Sequence, residues 1–318
     1  MRNEVSTAPG DRIVIRYYSR TMIIHRAEVL GMCMGVRRAE ALAREAGAAG
    51  AASGKQVFTY GPLIHNPQAI ESLRKYGVQV LDPEQFELGL LDDQVKNSIV
   101  VIRAHGAPLS TFNRLKALSA AIIDATCPRV LASQKKAVQL LHDGYVVIIA
   151  GDASHGEVAG ILGHAPGAMV AENPESARRI ANSIKAGKAA LIAQTTIKES
   201  EYKAIENALK EKFPGLLVIQ TICPATRDRQ EALRLLADSV DALVIAGGKN
   251  SANTKRLFMA ALESGKPAWH IEKPEELPDE VFDKEVVGLT AGASTPDFIV
   301  DEVEKYLMQG ANRHGIAE

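Results

Sequence analysis

The chain has 318 residues, 46% of them hydrophobic and 24% charged, with a formal net charge of −1. That composition is an ordinary globular one, with room for two or three domains and no electrostatic bias toward nucleic acid or an anionic membrane surface. No apolar run approaches the roughly 18 residues of a membrane-crossing helix. Arg12, Arg16 and Arg20 interrupt every apolar stretch that could serve as a secretory leader. The expectation is a cytoplasmic protein. Its three cysteines, none in C-x-x-C spacing, argue against a disulfide framework and against a redox dithiol.

In chain order, residues 1–26 read as an extension in which Ile13–Tyr18 has the pattern of an edge strand. A helical pattern over Val36–Ala46 leads into a small-residue linker, Gly47–Gly54. Strands are expected at Gln56–Tyr60, Val78–Leu81 and Ser98–Arg103, with helices at Pro67–Tyr76 and Leu109–Leu118. The apolar run Ala121–Ile123 then reaches Cys127-Pro128 and a helix over 129–142. The alternation continues with strands at Tyr145–Ala150, Ala168–Ala171 and Ala189–Ala193 and helices over 156–163, 174–185 and 198–212. After Cys223-Pro224 and its helix come strands at Ala242–Ala246, Ala268–Ile271 and Val286–Thr290, with helices over 252–264 and 296–308 and a disordered tail over 310–318. Short apolar strands separated by helices of about 10–15 residues mean parallel sheets built from βαβ units.

The cysteines share one position in this scheme. Cys33, Cys127 and Cys223 each end a strand-like run and open a helix, where exposed N–H groups and the helix dipole favour a thiolate. Their separations, 127 − 33 = 94 and 223 − 127 = 96, are nearly a period. The chain is therefore expected to be α/β, three similar units over 27–126, 127–222 and 223–294. A lone cysteine usually packs in a core, but three at equivalent junctions point to metal ligation. An iron–sulfur cluster or a three-cysteine zinc site both suit three thiolates.

Function in parallel α/β sheets collects at the carboxyl ends of strands. His65, His105 and His155 stand there at glycine turns or helix starts, where imidazole and backbone N–H groups can hold an anion. Glu157 lies two residues from His155 and could relay protons. Gln194-Thr195-Thr196, Ser251-Ala252-Asn253 and Ser294 follow other strands, as helix caps or as anion ligands. Gly247-Gly248-Lys249-Asn250-Ser251 is not a P-loop, no G-x-G-x-x-G is present, and His155-Gly156-Glu157 is not a zinc-protease motif.

Taken in order, these stretches resemble the 4-hydroxy-3-methylbut-2-enyl diphosphate reductase family over about residues 27–308. The resemblance implies a trefoil of three α/β domains around a 4Fe-4S cluster held by Cys33, Cys127 and Cys223, its fourth iron open to substrate. It implies that segment 295–318 packs back on the first domain. It assigns diphosphate binding to His65, His105, His155, Ser251, Asn253 and Ser294, proton relay to Glu157, and the substrate hydroxyl to Thr195. It also implies a ferredoxin- or flavodoxin-type electron donor, and neither nucleic acid nor a membrane as partner. The chain departs from the family pattern at Met32, Gly156 and Ala252, and lacks the tyrosine usual after the third cysteine in Ile222-Cys223-Pro224-Ala225-Thr226. Two other readings stay open here: a paralogous 4Fe-4S reductase for another allylic substrate, and a non-catalytic zinc-binding protein.

Overall fold

The computed structural model describes residues 22–63, 67–185 and 187–314. It begins with β1 (Ile23–Arg26) and α1 (Met34–Ser53), then β2 (Val57–Tyr60), α2 (Pro67–Arg74), β3 (Val78–Leu81), α3 (Pro83–Glu87), α4 (Asp92–Val95), β4 (Ile99–Ile102), α5 (Leu109–Ala117) and β5 (Ala121–Asp124). A second series follows: α6 (Pro128–His142), β6 (Tyr145–Ala150), α7 (Gly156–His164), β7 (Met169–Ala171), α8 (Pro174–Ser183), β8 (Lys188–Ala193), α9 (Glu199–Lys210) and β9 (Leu217–Val218). The last comprises α10 (Pro224–Ala237), β10 (Ala242–Ala246), α11 (Ala252–Glu263), β11 (Ala268–Ile271), β12 (Val286–Ala291) and α12 (Asp297–His314).

Three four-stranded parallel sheets result, in the orders β3-β2-β4-β5, β7-β6-β8-β9 and β1-β12-β10-β11. Their central strands are continuous apolar runs such as IVVI and ALVIA, buried on both faces by helices, as parallel sheets require. Each central strand finishes level with its neighbours: Tyr60 lies beside Leu81 and Ile102, Ala150 beside Ala171 and Ala193, and Ala246 beside Ile271 and Ala291. One hydrogen bond then turns each chain off its strand in the same way. Gly61 N donates to Leu81 O (2.9 Å), Gly151 N to Ala171 O (3.1 Å) and Gly247 N to Ile271 O (2.8 Å). The three sheets thus share one plan, and the same offsets beyond each strand carry the chemistry.

The third sheet is closed differently. Its edge strand β1 comes from the start of the chain and pairs with β12 as β5 pairs with β4. The chain accordingly divides into two compact units, Cys33–Thr226 and Met1–Met32 with Arg227–Glu318. This redraws the expected boundaries. Met22–Arg26 belongs to a sheet and its core, and Ile13–Tyr18 lies outside the described residues. The last helix packs Ile299, Val300, Val303 and Leu307 against Val244, Val287 and Leu289 of its own sheet, together with Met22. Its helical run continues to His314, past the expected tail start at 310, and 315–318 lie outside the described residues.

The expected linker Gly47–Gly54 is helix up to Ser53, with Gly54 as a left-handed C-cap at φ 68°. Its glycines are there for contact. A Cβ at Gly47 would collide with Tyr76 O, and one at Gly50 with Val57 Cγ2, so only a bare backbone lets α1 lie this close to the sheet. Helices α3 and α4 and the two-residue strand β9 are further elements that the periodicity missed.

Candidate active site

All three cysteines belong to the unit Cys33–Thr226, and each follows the edge strand of a sheet: Cys33 after β1, Cys127 after β5 and Cys223 after β9. Their near-equal spacing is therefore one sheet-and-helix period. Cys33 and Cys127 are the N-cap residues of α1 and α6, at the positive end of each helix dipole, with no side-chain cap bond of their own. Pro128 and Pro224 begin α6 and α10, where the lost N–H costs nothing.

Neighbouring groups hold the junctions in place. Asp124 Oδ1 accepts from Thr126 N (2.9 Å) and from the Thr126 hydroxyl, fixing the turn before Cys127. Arg38 of α1 donates to the Thr126 and Asp124 carbonyls, tying the Cys33 helix to the Cys127 turn. Gly35 makes their approach possible, since a Cβ there would stand 2.7 Å from Cys127 Sγ. Cys127 N donates to Ala104 O (3.0 Å) and Cys223 N to Thr195 O (2.8 Å), so two of the cysteines hang on strand-end segments that carry other site residues.

The three half-buried thiols are free. Cys223 is held above the usual thiol range first by burial and also by the charges of Cys33 and Cys127, with the Ala225 N–H and Arg129 acting the other way. Among the described residues, no group of three or more His, Cys, Asp or Glu side chains could hold a single metal ion. Three free cysteines, each leading from a strand into a helix, are the donor set that an iron–sulfur cluster takes.

Beside them lies a carboxylate network. Glu157, in the first turn of α7, is fully buried. Its Oε1 accepts from Thr195 N (2.7 Å) and its Oε2 from Thr195 Oγ1 (2.8 Å). Burial pushes its pKa up to about 7, against the opposing pull of the two Thr195 bonds, so the carboxyl exchanges a proton near neutrality. His155 caps the same helix, its Nδ1 accepting from Glu157 N (3.2 Å). That bond assigns the proton of the neutral ring to Nε2. The His105 ring meets His155 edge-on at 5.1 Å between centroids.

The other unit holds Ser251, Asn253 and Ser294. Ser251 is the N-cap of α11, its Oγ accepting from Thr254 N (3.3 Å) and from Ser294 Oγ (3.2 Å). Both lone pairs are taken, so its own hydrogen is left to donate. The Asn253 Nδ2 is buried with no hydrogen-bond partner. The placements obey one rule. Five residues beyond Tyr60, Ala150 and Ala246 stand His65, His155 and Ser251; three beyond Ile102 and Ala291 stand His105 and Ser294. His65 itself lies outside the described residues.

Sequence reasoning missed one residue. Arg103 was expected to end a strand, but β4 stops at Ile102 and the Arg103 side chain leaves the sheet. Its Nη1 would be 2.9 Å from a Cβ at Gly61 and its Nη2 2.5 Å from one at Gly156, so the guanidinium lies between two glycine backbones. The glycines of Gly61-Pro62 and His155-Gly156-Glu157 were the available signal.

A profile of the LytB protein family matches residues 24–308. The chain belongs to the LytB family. A relative from Treponema denticola named 4-hydroxy-3-methylbut-2-enyl diphosphate reductase is 51% identical over 293 residues, 91% of this chain and all of the relative. A protein of the same name from Treponema pallidum (strain Nichols) is 39% identical, over 91% of this chain and 84% of its own length. Among solved structures, one titled as the terminal enzyme of the non-mevalonate pathway superimposes with a TM-score of 0.71 at 38% identity, over 91% of this chain and 99% of that one. The Plasmodium falciparum reductase gives 0.77 at 25% identity, over 90% of this chain and 87% of that one. The LytB members thus share this α/β fold of three parallel sheets.

Proposed function

We propose that this LytB-family enzyme removes the hydroxyl of 4-hydroxy-3-methylbut-2-enyl diphosphate to give isopentenyl and dimethylallyl diphosphate. The C–O bond breaks, two electrons and two protons enter, and water leaves. One observation carries the reading: a fully buried carboxyl poised near neutral pH, bonded twice to Thr195, whose carbonyl also holds the amide of Cys223. A proton donor is thereby tied to Cys223 through a single residue.

LytB proteins carry an iron–sulfur cluster. Here Cys33, Cys127 and Cys223 would hold it, as 4Fe-4S with one iron lacking a protein ligand. When bound, such a cluster supplies electrons and a Lewis-acidic metal. The chain supplies the rest. Glu157 delivers protons toward the departing oxygen, and the Thr195 hydroxyl orients that oxygen while holding the carboxyl. His155, at the start of α7 where the helix N–H groups add positive potential, and His105, beyond β4 and against the His155 ring, donate to the diphosphate. Ser251, Asn253 and Ser294 offer further phosphate donors, and His65 is assigned the same role. Electrons come from an external carrier of ferredoxin or flavodoxin type, and three unpaired cysteines suit the cytoplasm.

Anaerobic purification with iron and sulfide analysis, followed by turnover of the allylic diphosphate with a chemical reductant, tests this. Cys127→Ser is expected to lose bound iron together with turnover. A colourless wild-type protein containing zinc and no iron would remove the reading.

A further inference from the structure

The sheets share a plan, so the residue directly after each inner strand can be compared. After β8 it is Gln194, which stays with its own loop: its Oε1 accepts from Asp152 N (2.9 Å) and its Nε2 donates to Thr196 Oγ1 (2.9 Å). After β12 it is Gly292. After β4 it is Arg103, which passes Gly61 and ends against Gly156, between the helix cap His155 and Glu157. Gln194 is satisfied where it lies. Arg103 is not: its Nε is buried without a hydrogen-bond partner, and no carboxylate of the described residues pairs with it.

A guanidinium taken partly out of water without an anion is costly, and arginine cannot shed its proton to escape. Burial lowers its pKa and the nearby Tyr60 opposes this, yet the group stays charged. Tyr60 cannot serve as the counter-ion. Its hydroxyl donates to Glu87 and accepts from Thr111, and burial raises its pKa to about 12. The rings of His105 and His155 lie at the same strand ends, as does the α7 N-terminus. The Glu157 carboxyl in the first turn of that helix has both oxygens bonded to Thr195, so it is not the counter-ion of Arg103 either.

We infer that Arg103 is a substrate-binding residue of this enzyme, a fixed cation slotted between Gly61 and Gly156 that takes the diphosphate of the substrate. A guanidinium offers paired N–H donors matched to phosphate oxygens, which imidazoles and hydroxyls lack. The slot explains Gly156 as well, since a side chain there would enter the guanidinium. The inference rests on the proposed reaction for its substrate, but its anion is tested separately.

The test uses anaerobic holoenzyme, with inorganic pyrophosphate as the probe. Arg103→Gln is expected to weaken pyrophosphate binding and raise KM together by roughly 10- to 100-fold. Iron content should be unchanged and kcat should stay within about threefold, a KM-against-kcat split that a merely structural role would not give. Arg103→Lys, which keeps the charge but not the fork, should fall between. Unchanged pyrophosphate affinity in folded Arg103→Gln overturns the inference, as does a fall in kcat alone. Should that variant fail to fold, Gly156→Ala decides, because it displaces the guanidinium without removing it; wild-type pyrophosphate affinity there overturns the inference. A wild type that binds pyrophosphate but leaves the allylic diphosphate unreacted defeats the proposed reaction while Arg103 is still judged by binding. A wild type that binds no pyrophosphate defeats the inference outright.

Discussion

Seven residues beyond the central strand, the second and third sheets place a polar side chain in the first turn of a helix, and they treat it in opposite ways. Glu157 follows Ala150 at that offset, sealed from solvent with both oxygens bonded to Thr195. Asn253 follows Ala246 at the same offset, its buried Nδ2 without a hydrogen-bond partner among the described residues. The contrast separates two jobs. A proton carrier needs its pKa shifted in advance, so its enclosure and partners must be part of the fold. A ligand-binding donor must keep a hydrogen unspent, and the fold bears the cost of leaving it so.

The largest effect is expected at the sealed position. Glu157→Gln keeps the shape and removes the proton, and kcat should fall by about 10²–10³ with KM little changed. Stability should move the other way. The folded pKa is raised from 4.5 to about 7, so the folded state binds more proton than the unfolded one across that interval, and stability drops as pH rises through it. Glutamine carries no such loss, so at pH 8 the inactive variant should be the more stable by up to about 3 kcal/mol. Thermal melts at pH 5 and 8 check this. An equal Tm gain at both pH values would mean that the carboxyl is not displaced from its ordinary titration.

Thr195→Val comes next. It deletes the hydroxyl bond to Oε2 and keeps the N–H bond to Oε1, both of which favour the charged carboxylate. With burial less opposed, the Glu157 pKa should climb further, by about one unit for a bond worth about 1.5 kcal/mol. The alkaline limb of the kcat profile should move up with it, and kcat at its optimum should fall by roughly tenfold. A limb that stays put would assign it to another group.

How far the sequence foretold this depends on range. Every central strand was legible, because a buried parallel strand is a continuous apolar run. The cysteine junctions were legible from proline at a helix start. Residues Ile23–Arg26 were not, since a four-residue run declares itself a strand only against Val286–Leu289, far along the chain. Gly47–Gly54 read as a linker because glycine's local cost is visible in sequence, while the contacts with Tyr76 and Val57 that require it are not. Thr195 could be read as a helix cap, and its bidentate hold on Glu157 joins positions 38 residues apart. Arg103 hid at a strand end, where a charged residue is unremarkable until the neighbouring glycines are seen to make room for it.

On the unsealed side of the comparison, Asn253→Ala should raise KM by about tenfold, the value of one good hydrogen bond to a charged group, with kcat unchanged. Its stability signature is the sharper readout. An amide nitrogen with no partner contributes a desolvation cost and no bond, so its removal should leave the Tm unchanged or raise it, by at most about 1 kcal/mol of stability. A clear drop in Tm would show that Asn253 is a structural group and would end the contrast with Glu157.

Ser294→Ala is the smallest and the most discriminating change. The Ser294 hydroxyl donates to Ser251 Oγ, which at the same time caps Thr254 N. Losing one neutral bond on a half-buried hydroxyl should cost no more than about 0.5–1 kcal/mol of stability, since water can replace it. Ser251 keeps its cap but loses the partner that commits its hydrogen to pointing away, so binding should suffer through two groups at once, with KM up by about threefold to tenfold. The ratio is what matters. If KM is untouched while the Tm falls by the amount expected of Ser251→Ala, whose lost cap is worth about 1 kcal/mol, then the serine pair exists to start the helix, and the donors of the third sheet reduce to Asn253.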